Sequence, residues 1–381
     1  MPFVTHSAPN QRLHQIALAR HAVLHDGKSI SRTGTQAWIE RSWQRCLDSG
    51  KAPHQNVIFD VIAPQALRRL EEANHALVDA ARPVLHSLSQ ALASTRYFAI
   101  LTDAQGIVID AHGPINRSDR RADLITRIGT DLSERQVATT AIGAALHELQ
   151  PVWLHRGEHF FDANAVYSCA GAPLFGPDGG CIGMLDLTGI EAAERPELKH
   201  LVAQSARSIE NTLTLGYLKD AGDLLIRLNW PGRTLGDESD GLVCVDTDGY
   251  ILAANQAARL MVSQLVGPTA SRLHCSDVFA IDFESLFDAA RRSASDEALE
   301  VPLWTGLRLH ALPVQMGHST APIPLRISTS AAPAQPLRDI ETGLIRQAVD
   351  DARGNVMQAA KALGISRATV YRRLGTGIKK R

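Results

Sequence analysis

The chain has 381 residues, 45% of them hydrophobic and 21% charged, and a formal net charge of −1. That length has room for two or three domains, and the composition is that of an ordinary globular protein. No apolar stretch approaches the roughly 18–20 residues that a membrane-spanning helix needs.

The N-terminus does not read as a signal peptide, since His14, Arg20, His21, His25 and Asp26 interrupt its apolar positions. Gln11–His25 and Gln36–Leu47 read as amphipathic helices, with Trp38 and Trp43 as packing anchors. Pro64–Ser94 gives a longer helical pattern in which Pro83 opens a second helix. From Tyr97 the period changes. Phe98–Ala111 is strand, turn, strand, with Asp103 to Gly106 at the turn. Ala138–Leu149 follows as a helix and Pro151–Leu154 as a strand. Ser168–Phe175 and Cys181–Leu187 are strands around the hairpin turn Gly176-Pro-Asp-Gly-Gly180. A helical pattern then runs from Pro196 to Leu228 on the stripe Leu198, Leu201, Val202, Ile209, Leu213 and Leu218. Its length suits a helix that links domains and pairs with a twin in a dimer; its first half suits equally a helix packed on its own sheet. Gly241–Ala258 repeats the strand-turn-strand pattern and leads into another helix. Five prolines lie between Pro313 and Pro336, and from about Thr329 the chain reads as a linker. The five cysteines, at 46, 169, 181, 244 and 275, are odd in number and form no CxxC pair. That pattern fits reduced thiols in a cytoplasm.

The last forty-odd residues carry the clearest chemistry. A helix over Ile340–Ala352 is broken by Gly354, and Asn355 caps a second helix containing Ala359, Ala360 and Leu363. Gly364 permits the positive backbone angle of a sharp turn, and Ser366 caps a third helix. In that helix Val370 and Leu374 face inward, so Ala368, Thr369, Tyr371 and Arg372 point outward. Arg367 lies in the first turn, the part of a helix-turn-helix that enters the major groove, where arginine matches the acceptor pair of guanine. Arg373, Lys379, Lys380 and Arg381 are placed for phosphates. Leu337–Arg381 holds ten Lys/Arg against four Asp/Glu in a chain that is otherwise acidic, so the basic excess sits where double-stranded DNA would bind.

Gly354-Asn-Val through Leu363-Gly-Ile-Ser-Arg-Ala-Thr-Val-Tyr-Arg-Arg-Leu374 resembles the Fis-type helix-turn-helix of bacterial enhancer-binding regulators. Gly375 and Gly377 depart from that family, whose last helix continues with basic residues. The body resembles regulators of the AcoR type. Arg41-Ser-Trp-Gln-Arg-Cys-Leu-Asp-Ser-Gly50 is similar to a signature near their N-terminus. Ala141–Leu146, Glu158–Phe160, Cys169–Pro173 and Gly183–Gly189 resemble their GAF domain, and Val243–Ala258 the opening of a PAS domain.

The resemblance implies an α+β multidomain chain. A helical N-terminal region (1–94) precedes a GAF-like sensor domain (95–215), a linking helix (216–234) and a PAS-like domain (235–328). Both sensor domains are expected to be antiparallel sheets. A linker (329–338) and a three-helix Fis-type helix-turn-helix (339–381) close the sequence. One departure is large. Such regulators carry an ATPase domain between sensors and DNA reader, and this sequence has neither a G-x-x-x-x-G-K-[ST] phosphate loop nor the loop that engages sigma-54 polymerase.

The GAF resemblance implies a ligand pocket, with Ile142, Trp153, Phe160, Phe161, Tyr167 and Cys169 as candidate lining; the family has Asn where Thr140 stands. His155, His159 and Cys169 bear metal-ligating groups at a spacing that matches no standard site, and no cofactor is expected. Asp162 and Asp186 have no catalytic partner by spacing, so no enzyme is expected. The expected protein is a cytoplasmic, ligand-responsive regulator that binds an operator as a homodimer, with RNA polymerase or a related regulator as further partner. The alternative is an ATPase-less interaction protein that modulates a full-length relative.

Overall fold

The computed structural model describes residues 9–25, 37–221, 223–266, 273–292, 298–315 and 356–362. The chain divides into two units at 318/319.

The first unit opens with helices α1 (Pro9–Leu24), α2 (Ala37–Asp48) and α3 (Pro64–Leu92). In α2 the buried residues Trp38, Ile39, Ser42, Trp43 and Cys46 recur every three to four positions, so one face is committed to the core. The third helix runs unbroken through Pro83, where the sequence predicts a new start. Pro83 is solvent-exposed, and the buried stripe Leu77, Ala81, Leu85, Leu88 and Leu92 continues on both sides of it. Packing of that stripe outweighs the roughly 3 kcal/mol that an interior proline costs.

Strands β1 (Tyr97–Asp103), β2 (Val108–His112), β3 (Val152–His155), β4 (Tyr167–Phe175) and β5 (Cys181–Ile190) form an antiparallel sheet in the order β2-β1-β5-β4-β3. The β1–β2 turn is built as its sequence predicts. The Asp103 carboxylate accepts the N–H groups of Gln105 and Ile107, and Gly106 takes a φ of +85° that suits only glycine. Helices α4 (Arg120–Ile125), α5 (Glu134–Val137) and α6 (Ala141–Glu148) lie between β2 and β3. The last of these starts at Ala141 rather than Ala138, because Thr140 caps it by accepting from the Gly143 N–H and Ala138 sits at a φ of +57°. One face of the sheet packs on α2, α6 and part of α1; the other packs on α3 and α7 (Leu198–Ala221).

The helical pattern expected to reach Leu228 ends at Ala221, and Leu224–Asn229 is strand β6. The linking helix predicted over 216–234 is therefore helix only in its first part, and the second sheet begins before residue 235. Strands β7 (Gly241–Val245) and β8 (Ile251–Ala254) and helices α8 (Gln256–Met261), α9 (Cys275–Val278) and α10 (Phe283–Arg292) follow. Strands β9 (Leu299–Pro302) and β10 (Arg308–Gln315) complete a second antiparallel sheet, ordered β8-β7-β6-β10-β9. The two sheets share a layout, with a hairpin on each side of a central strand. In the first sheet the central strand comes last in the chain, and in the second it comes first. The run Leu224-Leu-Ile-Arg-Leu228, read from sequence as the end of the helix, is too short for periodicity to settle, and the central place in the sheet makes it strand.

Helix α7 serves both sheets. Leu198, Val202, Ala206 and Ile209 pack on the first, while Leu218 packs with Leu225, Leu242, Cys244 and Ala253 of the second. Among its described side chains only those around His200, Gln204, Arg207 and Tyr217 are exposed, so the stripe expected to meet a twin helix is already covered within the chain.

In the second unit, α11 (Val356–Ala362) begins one residue after the predicted cap Asn355, and Val356 and Ala360 are buried one turn apart. The linker, the first and third helices of the predicted module and its candidate DNA-contacting residues Ser366–Lys380 lie outside the described residues. No helix among the described residues is long and apolar enough to cross a membrane.

Candidate functional site

A small cavity lies between the first sheet and its α2/α6 side. It is lined by Ile100 of β1, Ile125, Leu132, Val137, Thr140, Ala141 and Ile142 of the α4–α6 region, His159 and Asn164, and by Tyr167, Cys169, Asp186 and Thr188 of β4 and β5. Phe59, from the segment joining α2 to α3, closes it. That segment is tied down where the Asp131 N–H donates to the Asp60 carbonyl (3.0 Å) and the Gln136 amide donates to the Ile58 carbonyl (3.2 Å). The cavity measures about 30 Å³, room for one or two waters.

Its polar groups are few and specific. The Cys169 thiol lies 3.3 Å from the Thr188 hydroxyl, which in turn donates to Asp186 Oδ2. Asp186 Oδ1 has no hydrogen-bond partner, and neither has His159 Nε2; both side chains are buried. Burial pushes the Asp186 carboxyl up to about 7, with the Thr188 hydrogen bond offsetting only part of the rise. Near neutrality the acid is therefore about half protonated, and below that it is mainly the neutral form. With Oδ2 accepting from Thr188, the proton of the neutral acid belongs on the unpartnered Oδ1, which makes that atom a donor. Burial lowers His159 to about 4, so the ring is neutral. Its Nδ1 faces the Arg156 carbonyl at 2.9 Å and must carry the proton, which leaves Nε2 as a lone-pair acceptor. One donor and one acceptor, both buried and unsatisfied, share a cavity otherwise lined mainly by carbon. An unsatisfied buried polar group costs about 1–3 kcal/mol, so two in one place call for an explanation.

The segment that carries His159 is held from outside. Trp43 Nε1 donates to the Glu158 carbonyl (2.9 Å), the Arg12 guanidinium pairs with the buried Glu158 carboxylate, and Arg20 donates to the Gly157 carbonyl (3.2 Å) and pairs with Asp162 (2.6 Å). Ala138, with its positive φ, is fixed on the other wall, where the Asn164 amide donates to the Val137 carbonyl and the Phe160 N–H to that of Thr139. A non-glycine residue at that angle stores strain that surrounding contacts must hold.

Of the residues the sequence singles out, Ile142, Tyr167 and Cys169 line the cavity. Phe160 and Phe161 pack edge to face in the same core without lining it. Trp153 is a correction. It points to the opposite face of the sheet, among Leu85, Leu187 and Val202, because on β3 it alternates with the inward Val152 and Leu154. His155 stacks on Trp153 and lies 2.8 Å from Ser168 Oγ, so His155, His159 and Cys169 do not converge. Among the described residues no group of three or more His, Cys, Asp or Glu is gathered as metal ligands do. The sequence did hold a signal for Asp186: Met184, Asp186 and Thr188 alternate inward on an otherwise apolar strand, and an ionisable residue at such a position is rare.

Two family models match this chain. The Fis family of bacterial regulatory proteins matches residues 336–375, which places the predicted helix-turn-helix in that family. The model of the MimR N-terminal domain matches residues 17–211, half of the chain, cavity included. The chain belongs to the MimR N-terminal domain family. Among curated relatives, the acetoin catabolism regulatory protein of Cupriavidus necator is 31% identical over 280 residues, 71% of this chain and 40% of that protein. The acetoin dehydrogenase operon transcriptional activator AcoR of Bacillus subtilis is 25% identical over 58% of this chain and 36% of its own length. The propane 2-monooxygenase operon transcriptional activator MimR of Mycolicibacterium smegmatis is 29% identical over 46% of this chain and 29% of its own. This chain thus matches two-fifths or less of the length of these relatives. Among solved structures, the Escherichia coli DhaR(N)–DhaL complex aligns with 74% of this chain and all of that one, at 15% identity and a TM-score of 0.45. The chain thus carries a MimR-type N-terminal domain and a C-terminal Fis-family module, and its sequence holds no G-x-x-x-x-G-K-[ST] phosphate loop.

Proposed function

We propose that this chain is a ligand-responsive transcriptional regulator, in which a small neutral effector occupies the first-sheet cavity and the C-terminal module binds DNA as a dimer. One observation carries the sensing half of this reading: the orphaned donor Asp186 Oδ1 and acceptor His159 Nε2 in a single mostly apolar cavity. They suit an uncharged molecule with a hydroxyl to give and an oxygen to accept. An anion would meet a half-ionised acid, and a cation would find no stable counter-charge. At about 30 Å³ the cavity must enlarge to take several carbon atoms, and the Phe59 segment is the wall with the least sheet behind it.

The names of the relatives supply a first probe, acetoin, which carries both a hydroxyl and a carbonyl; propan-2-ol, with a hydroxyl, and acetone, with a carbonyl alone, test the two contacts separately. An effector at 100 times its dissociation constant adds about 2.7 kcal/mol to stability. A thermal-shift series should show that gain in the wild type and lose it in His159→Ala. A panel that shifts nothing and leaves DNA occupancy unchanged would sink the sensing half.

The DNA half rests on the third helix of the Fis-family module. Arg367→Ala is expected to weaken binding to a footprinted site by about 1–3 kcal/mol and relax its sequence preference. Lys379→Ala should weaken all sequences alike and reduce the salt dependence. If Arg367→Ala protects the site as the wild type does, that helix does not read bases. Dimerisation must use surfaces other than the α7 stripe, which the chain covers itself.

A second reading follows from the missing phosphate loop, since the chain would not itself supply ATP-driven promoter opening. It would then act on a longer relative as an interaction partner, and co-purification with such a relative in the absence of DNA would favour this. No catalytic role is assigned to the buried His155–Ser168 pair or to Asp186, and we read the chain as a non-enzyme.

A further inference from the structure

Strands β4 and β5 have two ends with different surroundings. At one end Tyr167, Cys169, Asp186 and Thr188 line the cavity. At the other, the hairpin turn is seated in the second sheet domain, where the Pro177 carbonyl accepts both the Ala254 N–H (3.0 Å) and Arg259 Nη2 (2.8 Å). Arg259 belongs to α8 and is buried; its Nε donates to the Ala254 carbonyl (3.2 Å) and its Nη1 to that of Leu265. One guanidinium thereby ties the hairpin tip, the end of β8 and the turn beyond α8. Its fit is close. Gly179 has a φ of +88°, and a Cβ there would stand 2.6 Å from the guanidinium carbon.

The base of the hairpin is held from α7. The Phe175 N–H donates to the buried Glu210 carboxylate at 2.9 Å. The next residue of that helix, Asn211, accepts from Asn255 Nδ2 at 2.7 Å and donates to the Glu238 carbonyl at 3.0 Å. Asn255 is the cap of α8: its Oδ1 accepts the Ala258 N–H and the Leu242 N–H, each at 2.9 Å. Apolar surfaces can slide against one another. A junction of buried, mutually satisfied hydrogen bonds cannot, because any slip strands its polar groups. From Cys169 to Phe175 the strand spans roughly 20 Å at about 3.3 Å per residue, and Pro177 follows two residues on, in the tight turn.

We propose that the β4–β5 hairpin is the mechanical link that passes a change in the cavity to the second sheet domain, with Arg259 and the Asn211–Asn255 pair as its coupling residues. This rests on the cavity being the effector site, but its test needs no effector. Thr188→Val removes the hydrogen bond to Asp186 while keeping the shape of the side chain. Hydrogen exchange of the full chain then reads amides 184–190 (near the cavity), 251–262 (β8 and α8) and 308–315 (β10). The expected result is exchange about threefold or more faster at 251–262, with 308–315 unchanged. Adding Arg259→Lys, which keeps the charge but cannot span three carbonyls, should make 251–262 indifferent to Thr188→Val. If Thr188→Val leaves 184–190 unmoved, Ala141→Leu, which overfills the cavity, replaces it. If Arg259→Lys does not fold, Asn211→Ser cuts the second tie.

The link is overturned if 184–190 respond and 251–262 do not, or if the response at 251–262 survives the cut. Either result leaves effector binding intact, to be read separately by thermal shift. A working link in a chain that binds no probe would instead remove the sensing reading alone.

Discussion

Trp43→Ala is expected to destabilise the first sheet domain by about 3–5 kcal/mol, the range for truncating a fully buried Trp or Phe. Trp43 is wholly buried in the core that also holds Ile39, Phe98, Leu154 and Phe160. Its side chain also reaches past the core to the backbone of the His159 segment, at the Glu158 carbonyl. Two costs therefore separate cleanly. Trp43→Phe retains most of the apolar burial and leaves that carbonyl without its donor, a loss of about 1–3 kcal/mol. Trp43→Ala adds a cavity beside the segment. Urea midpoints of the three proteins measure both, and a loss below about 1 kcal/mol in Trp43→Ala would mean that α2 is not part of this core. The same variant should also loosen His159, so any effector-induced thermal shift should shrink more in Trp43→Ala than in Trp43→Phe.

Much of this architecture was legible in the sequence, and the exceptions share a cause. The hairpins at Asp103–Gly106 and Gly176–Gly180 announce themselves locally, because a turn imposes its residues wherever it occurs. Trp38 and Trp43 read as anchors from spacing alone and are buried. Where the sequence misleads, the deciding information is non-local. Leu224–Leu228 is strand because a sheet has a central place to fill, and Pro83 is carried inside a helix because a stripe of leucines and alanines continues past it. Trp153 looks like a pocket residue by composition, yet the phase of β3 turns it away. The site was least legible of all. That His159 and Asp186 line one cavity depends on a 3₁₀ turn and a strand 27 positions apart, and that their polar atoms lack partners depends on every neighbour. The alternation of Met184, Asp186 and Thr188 was the only local hint of it.

The pH dependence of Asp186→Asn should report the buried acid directly. Asp186 has its pKa raised from 3.8 to about 7 by burial. Between those values the folded protein keeps a proton that the unfolded chain has released. Wild-type stability therefore falls through this group as pH rises from about 4 to about 7, and is level beyond. Asparagine does not titrate. Its carbonyl can accept from Thr188 as Oδ2 does, and its amide can stand where the Oδ1 proton stood. Near pH 4 the exchange should be close to neutral. By pH 8 Asp186→Asn should be the more stable protein by up to about 4 kcal/mol, three pKa units at about 1.36 kcal/mol each. Glu158 and Glu210, both pushed up to about 7 by burial, act in the same direction, and His155 and His159, both lowered to about 4, act oppositely. All four are present in both proteins, so they cancel in the difference. Urea midpoints of the pair at pH 5 and pH 8 make the measurement, and a difference that does not change between them would show that Asp186 is not held protonated. The same substitution bears on sensing. In the wild type the Oδ1 donor is lost as pH passes 7, so an effector that accepts from it should bind more weakly at pH 8 than at pH 6. In Asp186→Asn the donor cannot be lost, and binding should be level across that range.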